Sequence, residues 1–303
     1  MKTTILLTGH NGFLGKELLR NLNTNNIIIK TCSRSNHSDF SIDLSNKIPN
    51  FNYKFDVVIH SAGKAHSIPK YKDEVDSFYY VNVQGTRNLL NGLSSNIPKQ
   101  FVFISSVSVY GLIEGENIKE ICPLIANDPY GKSKIEAEGI VKMWCDKNNV
   151  VCTILRLPLV IGINPPGNFG AMIRGIKKGY YFNIGGGRAK KSVVLASDIA
   201  KYILKAAEVG GIYNLTDGIH PSFYELSKGI SRHLDKLFVP NMPLFIAKIL
   251  AIIGDIIGNI FPINSYKFSK ITSTLTFDDT NARIAFGWNP NPVLESFKLH
   301  KDA

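Results

Sequence analysis

The run Thr8-Gly9-His10-Asn11-Gly12-Phe13-Leu14-Gly15 lies between the apolar Ile5-Leu6-Leu7 and the helix-like Glu17-Leu18-Leu19-Arg20, so a strand, a glycine turn and a helix open the chain. Gly9 permits a tight turn, Gly12 lets backbone approach a pyrophosphate, and Gly15 lets the helix pack on the strand. The helix's first amides and its dipole then face the anion. The spacing, TGxxGxxG, predicts a dinucleotide-phosphate cradle at the first strand-helix junction.

Downstream, apolar runs alternate with helix-length patterns through Ile27 to Cys32, Phe55 to Ser61, Phe78 to Leu93, Phe101 to Ser105, Ile135 to Trp144 and Val150 to Arg156. That alternation predicts an α/β fold, a Rossmann-type doubly wound parallel sheet. After Pro158 the pattern loosens into loops such as Asn164-Pro165-Pro166-Gly167 and Gly185-Gly186-Gly187-Arg188, which predicts a smaller C-terminal substrate lobe. The expected division is a dinucleotide-binding domain over 1–162 and a lobe over 163–303. Segment 192–216 is expected to return to the main sheet, through strands at Val193 to Leu195 and Ile212 to Leu215.

Tyr130-Gly131-Lys132-Ser133-Lys134 follows Asp128-Pro129 and opens a helical run. The Tyr and Lys fall about one turn apart, on one face. An ammonium beside a phenol favours the phenolate, which suits the tyrosine to proton transfer. Upstream, the buried strand Phe101-Val102-Phe103-Ile104 ends in Ser105-Ser106, whose hydroxyls can hydrogen-bond a substrate oxygen.

Together with Asp56 to Gly63, Val81 to Leu90, Ser105 to Gly111, Leu155 to Pro158, Ser197-Asp198 and Arg283 to Pro290, these stretches resemble the extended short-chain dehydrogenase/reductase family of nucleotide-sugar epimerases, dehydratases and 4-keto reductases. The resemblance runs nearly end to end. It implies Ser106, Tyr130 and Lys134 as the catalytic residues, with Ser105 as the alternative to Ser106. It implies cofactor contacts at Gly9, Asn11, Gly12, Phe13, Leu14, Gly15, Ser33, Arg34, Asp43, Leu44, Ser61, Ala62, Gly63, Asn82, Ser105, Tyr130, Lys134 and Pro158. Substrate contacts are expected at His66, Ser106, Asn168 and Phe169, with a basic group at Arg188, Lys190 or Lys191. Relatives place an arginine where this chain has Lys191, and a lysine lacks the planar fork that grips a diphosphate.

Where NAD-preferring relatives carry an acid after the second strand, this chain has Ser33-Arg34-Ser35. An arginine there can pair with a 2′-phosphate, so NADP(H) is favoured and NAD(H) is the alternative. Dehydratases of the family follow the catalytic hydroxyl residue with Asp-Glu, whereas Val107-Ser108 follow Ser106 here. That leaves chemistry at C4 alone. The resemblance is greatest to bacterial enzymes that reduce UDP-4-keto-6-deoxy-N-acetylhexosamines for cell-surface polysaccharides such as O-antigen or capsule. A nucleotide-sugar 4-epimerase with tightly held NAD is the alternative.

The 303 residues are 44% hydrophobic and 19% charged, enough for a full core. The formal charge of +11 would attract a doubly anionic nucleotide sugar. Its lysines are dispersed, with no basic run interleaved with aromatics, which argues against nucleic acid. Cys32, Cys122, Cys145 and Cys152 lack metal or disulfide spacing, and the first apolar run is too short for a signal peptide. Both point to a cytoplasmic protein. Family dimers pack helices like Phe78 to Leu93 and Ile135 to Trp144, so a homodimer is expected. The apolar stretch from Pro243 to Phe261 is broken by Lys248, Asp255 and Asn259, which argues against a transmembrane span. Its favoured reading is a pair of buried helices lidding the substrate lobe. The alternative is a surface lying on a membrane or docking a membrane glycosyltransferase.

Overall fold

The computed structural model describes residues 2–22, 24–65, 69, 71–258, 261 and 263–297. In chain order the first half holds β1 (Thr3–Thr8), α1 (Phe13–Leu22), β2 (Ile27–Ser33), β3 (Phe40–Ser41), β4 (Val57–His60), α2 (Lys72–Tyr79), α3 (Gly85–Leu93), β5 (Gln100–Ser106), β6 (Gly115–Ile118), α4 (Pro129–Asn148) and β7 (Val151–Leu157). The second half holds β8 (Leu159–Ile161), α5 (Gly167–Lys178), β9 (Asn183–Ile184), β10 (Val193–Leu195), α6 (Ala196–Val209), β11 (Gly211–Asn214), α7 (Phe223–His233), β12 (Asn241–Met242), α8 (Leu244–Ile257), α9 (Ser265–Thr272), β13 (Leu275–Phe277), α10 (Thr280–Phe286) and α11 (Val293–Ser296).

Among the described residues seven strands form one sheet in the order β11-β7-β5-β4-β1-β2-β3, every pair parallel. Order reverses between β1 and β4, the crevice where doubly wound sheets bind ligands beyond their strand ends. Both faces are covered, so Ile5, Leu6 and Leu7 are all fully buried. Alternation sends Ile5 and Leu7 into one core with Leu18, Ile199 and Ile203 of α1 and α6, while Leu6 joins Leu89, Leu93 and Val141 of α3 and α4. Each such side chain contributes about 1.5–3 kcal/mol, so these two apolar layers hold the sheet.

The long helix α4 is set by its start: the Asp128 carboxylate accepts from the Gly131 amide at 3.0 Å, and Pro129 occupies the first turn. Between α2 and α3 the chain makes a π-helical turn, Tyr80–Gln84, inside what the pattern reads as one helix.

One strand expectation is corrected. Gly211–Asn214 does return to the main sheet beside β7. Val193–Leu195 instead pairs with Leu159–Ile161 in a separate two-stranded sheet. Pro158 separates β7 from β8 and lacks an N–H to continue a ladder, and beyond it the Leu159 amide turns to the Ser192 carbonyl at 3.4 Å.

Candidate active site

The glycine turn is built by close approach. Gly9 sits at φ +70°, and a Cβ there would lie 2.6 Å from the Ala62 amide nitrogen; one on Gly15 would lie 2.1 Å from the Gly9 carbonyl oxygen. The turn is therefore wedged between β1, α1 and the Ser61-Ala62-Gly63 loop, whose Ala62 amide donates to the Thr8 hydroxyl at 3.1 Å. In the same turn His10 is buried, and its Nδ1 has no hydrogen-bond partner among the described residues. Phe13 and Leu14 begin α1, with the Phe13 ring edge against Gly162. Bare backbone at a helix N-terminus beside the β1/β4 crevice fits a dinucleotide pyrophosphate. Gly15→Ala is expected to weaken cofactor binding by at least about 10-fold, read by fluorescence titration, because the turn must open. An unchanged affinity would show that the turn does not hold the phosphates.

Strand β5 and helix α4 bring the candidate catalytic groups together. The Ser106 hydroxyl, at the end of β5, stands near enough to the Tyr130 phenol, in the first turn of α4, to favour its ionised form. It also donates to the Ser108 hydroxyl at 3.2 Å. Lys134, one turn further on, is 5% exposed; its ammonium donates to the Ile104 carbonyl at 2.9 Å and stands 4.6 Å from the Phe103 ring centroid. Burial pulls the Lys134 pKa down to about 8, against the opposing charge of Glu138. Burial raises the Tyr130 phenol above its ordinary value, with the nearby Ser106 hydroxyl pulling the other way and the Asp128 carboxylate adding to the rise.

Asn82 lies in the π-helical turn, and the extra residue of that turn aims it inward. Its Oδ1 accepts from the Lys64 amide at 2.7 Å, and its Nδ2 donates to the Ser133 hydroxyl at 2.9 Å. Gly63 passes close to both Asn82 Oδ1 and the Lys134 ammonium. Behind them His60 links the Thr8 and Thr86 hydroxyls at 2.7 and 3.0 Å, and burial lowers its pKa to about 3. It is neutral, a fixed strut between the cradle and α3.

Two residues singled out by sequence have other work. Ser105 points away from Ser106 and donates to the buried Glu138 carboxylate. Phe169 is 1% exposed and packs edge-on against Phe297 at 5.3 Å, so it is core, not a substrate contact. The neighbouring Asn168 is exposed at the start of α5, and Pro158 is half-buried between β7 and β8.

Glu138 is what sequence reading missed. Its carboxylate meets the Arg156 guanidinium through Nε at 3.2 Å and Nη2 at 2.7 Å, with both side chains at most 5% exposed. Arg156 also donates to the Tyr110 hydroxyl at 3.1 Å and to the Glu120 carbonyl at 3.0 Å; Tyr110 donates to Asn214 at 2.8 Å. This buried network fastens β5, α4, β7 and β11 directly behind Ser106 and Lys134. The one signal was Glu138 lying four residues beyond Lys134, on the same helix face.

At the ribose end, Ser33 accepts from the Asn11 amide at 3.0 Å, and Arg34 is exposed with no ion-pair partner among the described residues. The nearby Asp39 carboxylate is taken by Lys30 and Thr31. Asp43 caps its own turn through Ser45, and Leu44 is buried in the core, leaving only its backbone available. Of the basic residues expected to meet substrate, Arg188 and Lys190 line a cleft with Ser222, Tyr224 and Lys228. Lys191 lies apart from that cleft, half-buried; burial and the charge of Lys270 hold its pKa down to about 8. His66 lies outside the described residues.

Comparison with known proteins agrees with this fold. A profile of the NAD dependent epimerase/dehydratase family matches residues 5–216. The N-acetyl-α-D-glucosaminyl-diphospho-ditrans,octacis-undecaprenol 4-epimerase of Escherichia coli O157:H7 is 30% identical over 92% of this chain and 88% of its own length. The UDP-glucose 4-epimerase of Vibrio cholerae is 28% identical over 98% of this chain and 94% of its own. Among solved structures, RMD from Pseudomonas aeruginosa complexed with NADPH superposes with a TM-score of 0.72 at 21% identity, covering 97% of this chain and 96% of that one, which establishes the common fold.

Proposed function

This chain belongs to the NAD dependent epimerase/dehydratase family, and from that premise we propose that it reduces the 4-keto group of a nucleotide-activated 6-deoxy-N-acetylhexosamine with NADPH. The observation that carries this reading is the meeting of Ser106, Tyr130 and Lys134 beside the glycine turn, with Val107-Ser108 where a dehydratase needs a second acid and base. When bound, the nicotinamide supplies hydride to the carbonyl carbon. Tyr130 gives its proton to the carbonyl oxygen, and Ser106 hydrogen-bonds the same oxygen as charge develops on it. Lys134 supports the tyrosine as a buried cation that becomes available to the nicotinamide ribose. Lys191 is desolvated and stands in the field of the Lys270 charge, a strain that a diphosphate would relieve.

Arg34 supports NADPH over NADH, since its exposed guanidinium, just past the end of β2, has no ion-pair partner among the described residues and can pair with a 2′-phosphate. Arg34→Ala is expected to weaken NADPH use by roughly 10- to 150-fold, the worth of one charge-assisted contact, and to leave NADH use almost unchanged. Steady-state kcat/KM for both cofactors at one ionic strength checks this. Equal losses would assign Arg34 to adenine stacking or folding instead.

A second reading, 4-epimerisation, is favoured by two relatives that span most of the chain and are 4-epimerases, one named for a sugar carried by undecaprenyl diphosphate. Supplying NADPH with a freshly generated UDP-4-keto-6-deoxy-N-acetylhexosamine separates the readings. Stoichiometric NADPH oxidation supports the reductase. Interconversion of C4 epimers without net redox, by protein that purifies with NAD, supports the epimerase.

A further inference from the structure

Helix α8 is turned inside out relative to an ordinary surface helix. Its buried positions are the small ones, Ala247, Ala251 and Gly254, and a Cβ on Gly254 would lie 1.8 Å from the Ile263 carbonyl oxygen just before α9. On the opposite side, Phe245, Ile249, Ile252 and Ile256 follow one another at helical spacing and are 66%, 54%, 50% and 82% exposed. This corrects the expectation that the stretch is buried as a lid. The small face packs inward, and the bulky aliphatic face is presented to solvent.

The surroundings say what would cover such a face. Lys248 on α8, Lys270 on α9 and Lys236 in the segment leading to α8 are exposed cations in a chain of formal charge +11. The helix's own carboxylate, Asp255, is occupied by the Ser265 amide at 3.0 Å and by its hydroxyl. Leu237 and Phe238, beside Lys236, are 99% and 73% exposed. Aliphatic side chains flanked by lysines suit the boundary between acyl chains and anionic headgroups. Fourteen residues make a helix of about 21 Å, too short for a hydrocarbon core of about 30 Å, so α8 can lie on a bilayer but not cross it. No described helix is long and apolar enough to cross a membrane.

We propose that the outward face of α8 docks the protein on an anionic lipid bilayer. Docking there sets the orientation of the substrate cleft, because Leu244 at the start of α8 packs on Gly185, and the Gly186 amide donates to Asn241 just ahead of α8 at 2.7 Å. Arg188 of the same glycine turn lines the cleft. The cleft thus opens beside the membrane, within reach of a substrate or acceptor carried in it. The proposal goes beyond the C4 chemistry and stands or falls separately from it.

The test is co-sedimentation with vesicles of phosphatidylethanolamine and phosphatidylglycerol. Wild type is expected to pellet with them and to remain partly bound in high salt, since apolar burial is not screened. F245E/I252E should lower the partition coefficient by about 10-fold or more, while melting temperature and turnover of a water-soluble nucleotide sugar stay unchanged. Ile252→Trp adds a readout that does not rely on losing binding: brominated lipids should quench the new indole. Wild type left in the supernatant overturns the proposal, as does undiminished vesicle binding by F245E/I252E or an indole that the brominated lipids leave unquenched. A wild-type dimer that F245E/I252E splits, without vesicle binding, would instead make the face a contact between two copies.

Discussion

Tyr130→Phe is expected to lower turnover by about 100-fold or more while leaving cofactor affinity nearly intact. The phenol lies near Ser106 and its ring packs 6.1 Å from the Phe78 ring, so removing one oxygen removes the proton and leaves that packing in place. Burial raises this phenol's pKa, so its proton is retained through neutral pH. That is the form a reduction consumes. Single-turnover rates and cofactor titrations on the same preparation separate the two effects. A variant with near-wild-type kcat would remove Tyr130 from the chemistry, and an equal loss of cofactor affinity would recast it as a binding residue.

Glu138→Gln tests the buried network. It preserves shape but leaves the Arg156 charge, which is 3% exposed, without its counterion. Stripping one partner from a buried pair costs about 3–5 kcal/mol, so the urea midpoint should fall steeply. A loss below about 1 kcal/mol would mean that Tyr110 and the Glu120 carbonyl compensate the guanidinium. The same substitution has a catalytic signature. Glu138 raises the Lys134 pKa against the pull of burial, so without it the ammonium deprotonates below pH 8, and the alkaline limb of the rate profile moves to lower pH. Reverse movement would place Glu138 outside the lysine's field.

Much of this was legible in sequence because it rests on local rules. Residues 8 to 15 declare their turn through glycines that no larger residue replaces, and Asp128-Pro129 marks the start of α4. Alternating apolar runs gave the parallel sheet. What sequence could not give are features decided by which distant elements meet. Phe169 reads as a loop residue, yet it is drawn into a core by Phe297, 128 positions later. Ser105 and Ser106 are adjacent hydroxyls, and strand alternation alone sends one to Glu138 and the other to Tyr130. The helix α8 is apolar round most of its circumference in sequence, with Lys248 and Asp255 as its charged residues. Only packing reveals that its small side, not its large one, is the inner side.

Trp288 carries a consequence for how the polypeptide is completed. It is 1% exposed, its indole donates to the Thr216 carbonyl at 2.9 Å, and it stacks edge-on with Tyr202 of α6 and near Phe286. That cluster belongs to the same apolar layer as Ile5 and Leu7 of the first strand. The half of the molecule that carries the phosphate turn is therefore not a unit that can be cut out at residue 216. On a ribosome, its first strand would wait for nearly the whole chain to emerge before the layer beneath it closed. An excised amino-terminal fragment would leave that hydrophobic seam open to water, to chaperones and to other copies of itself.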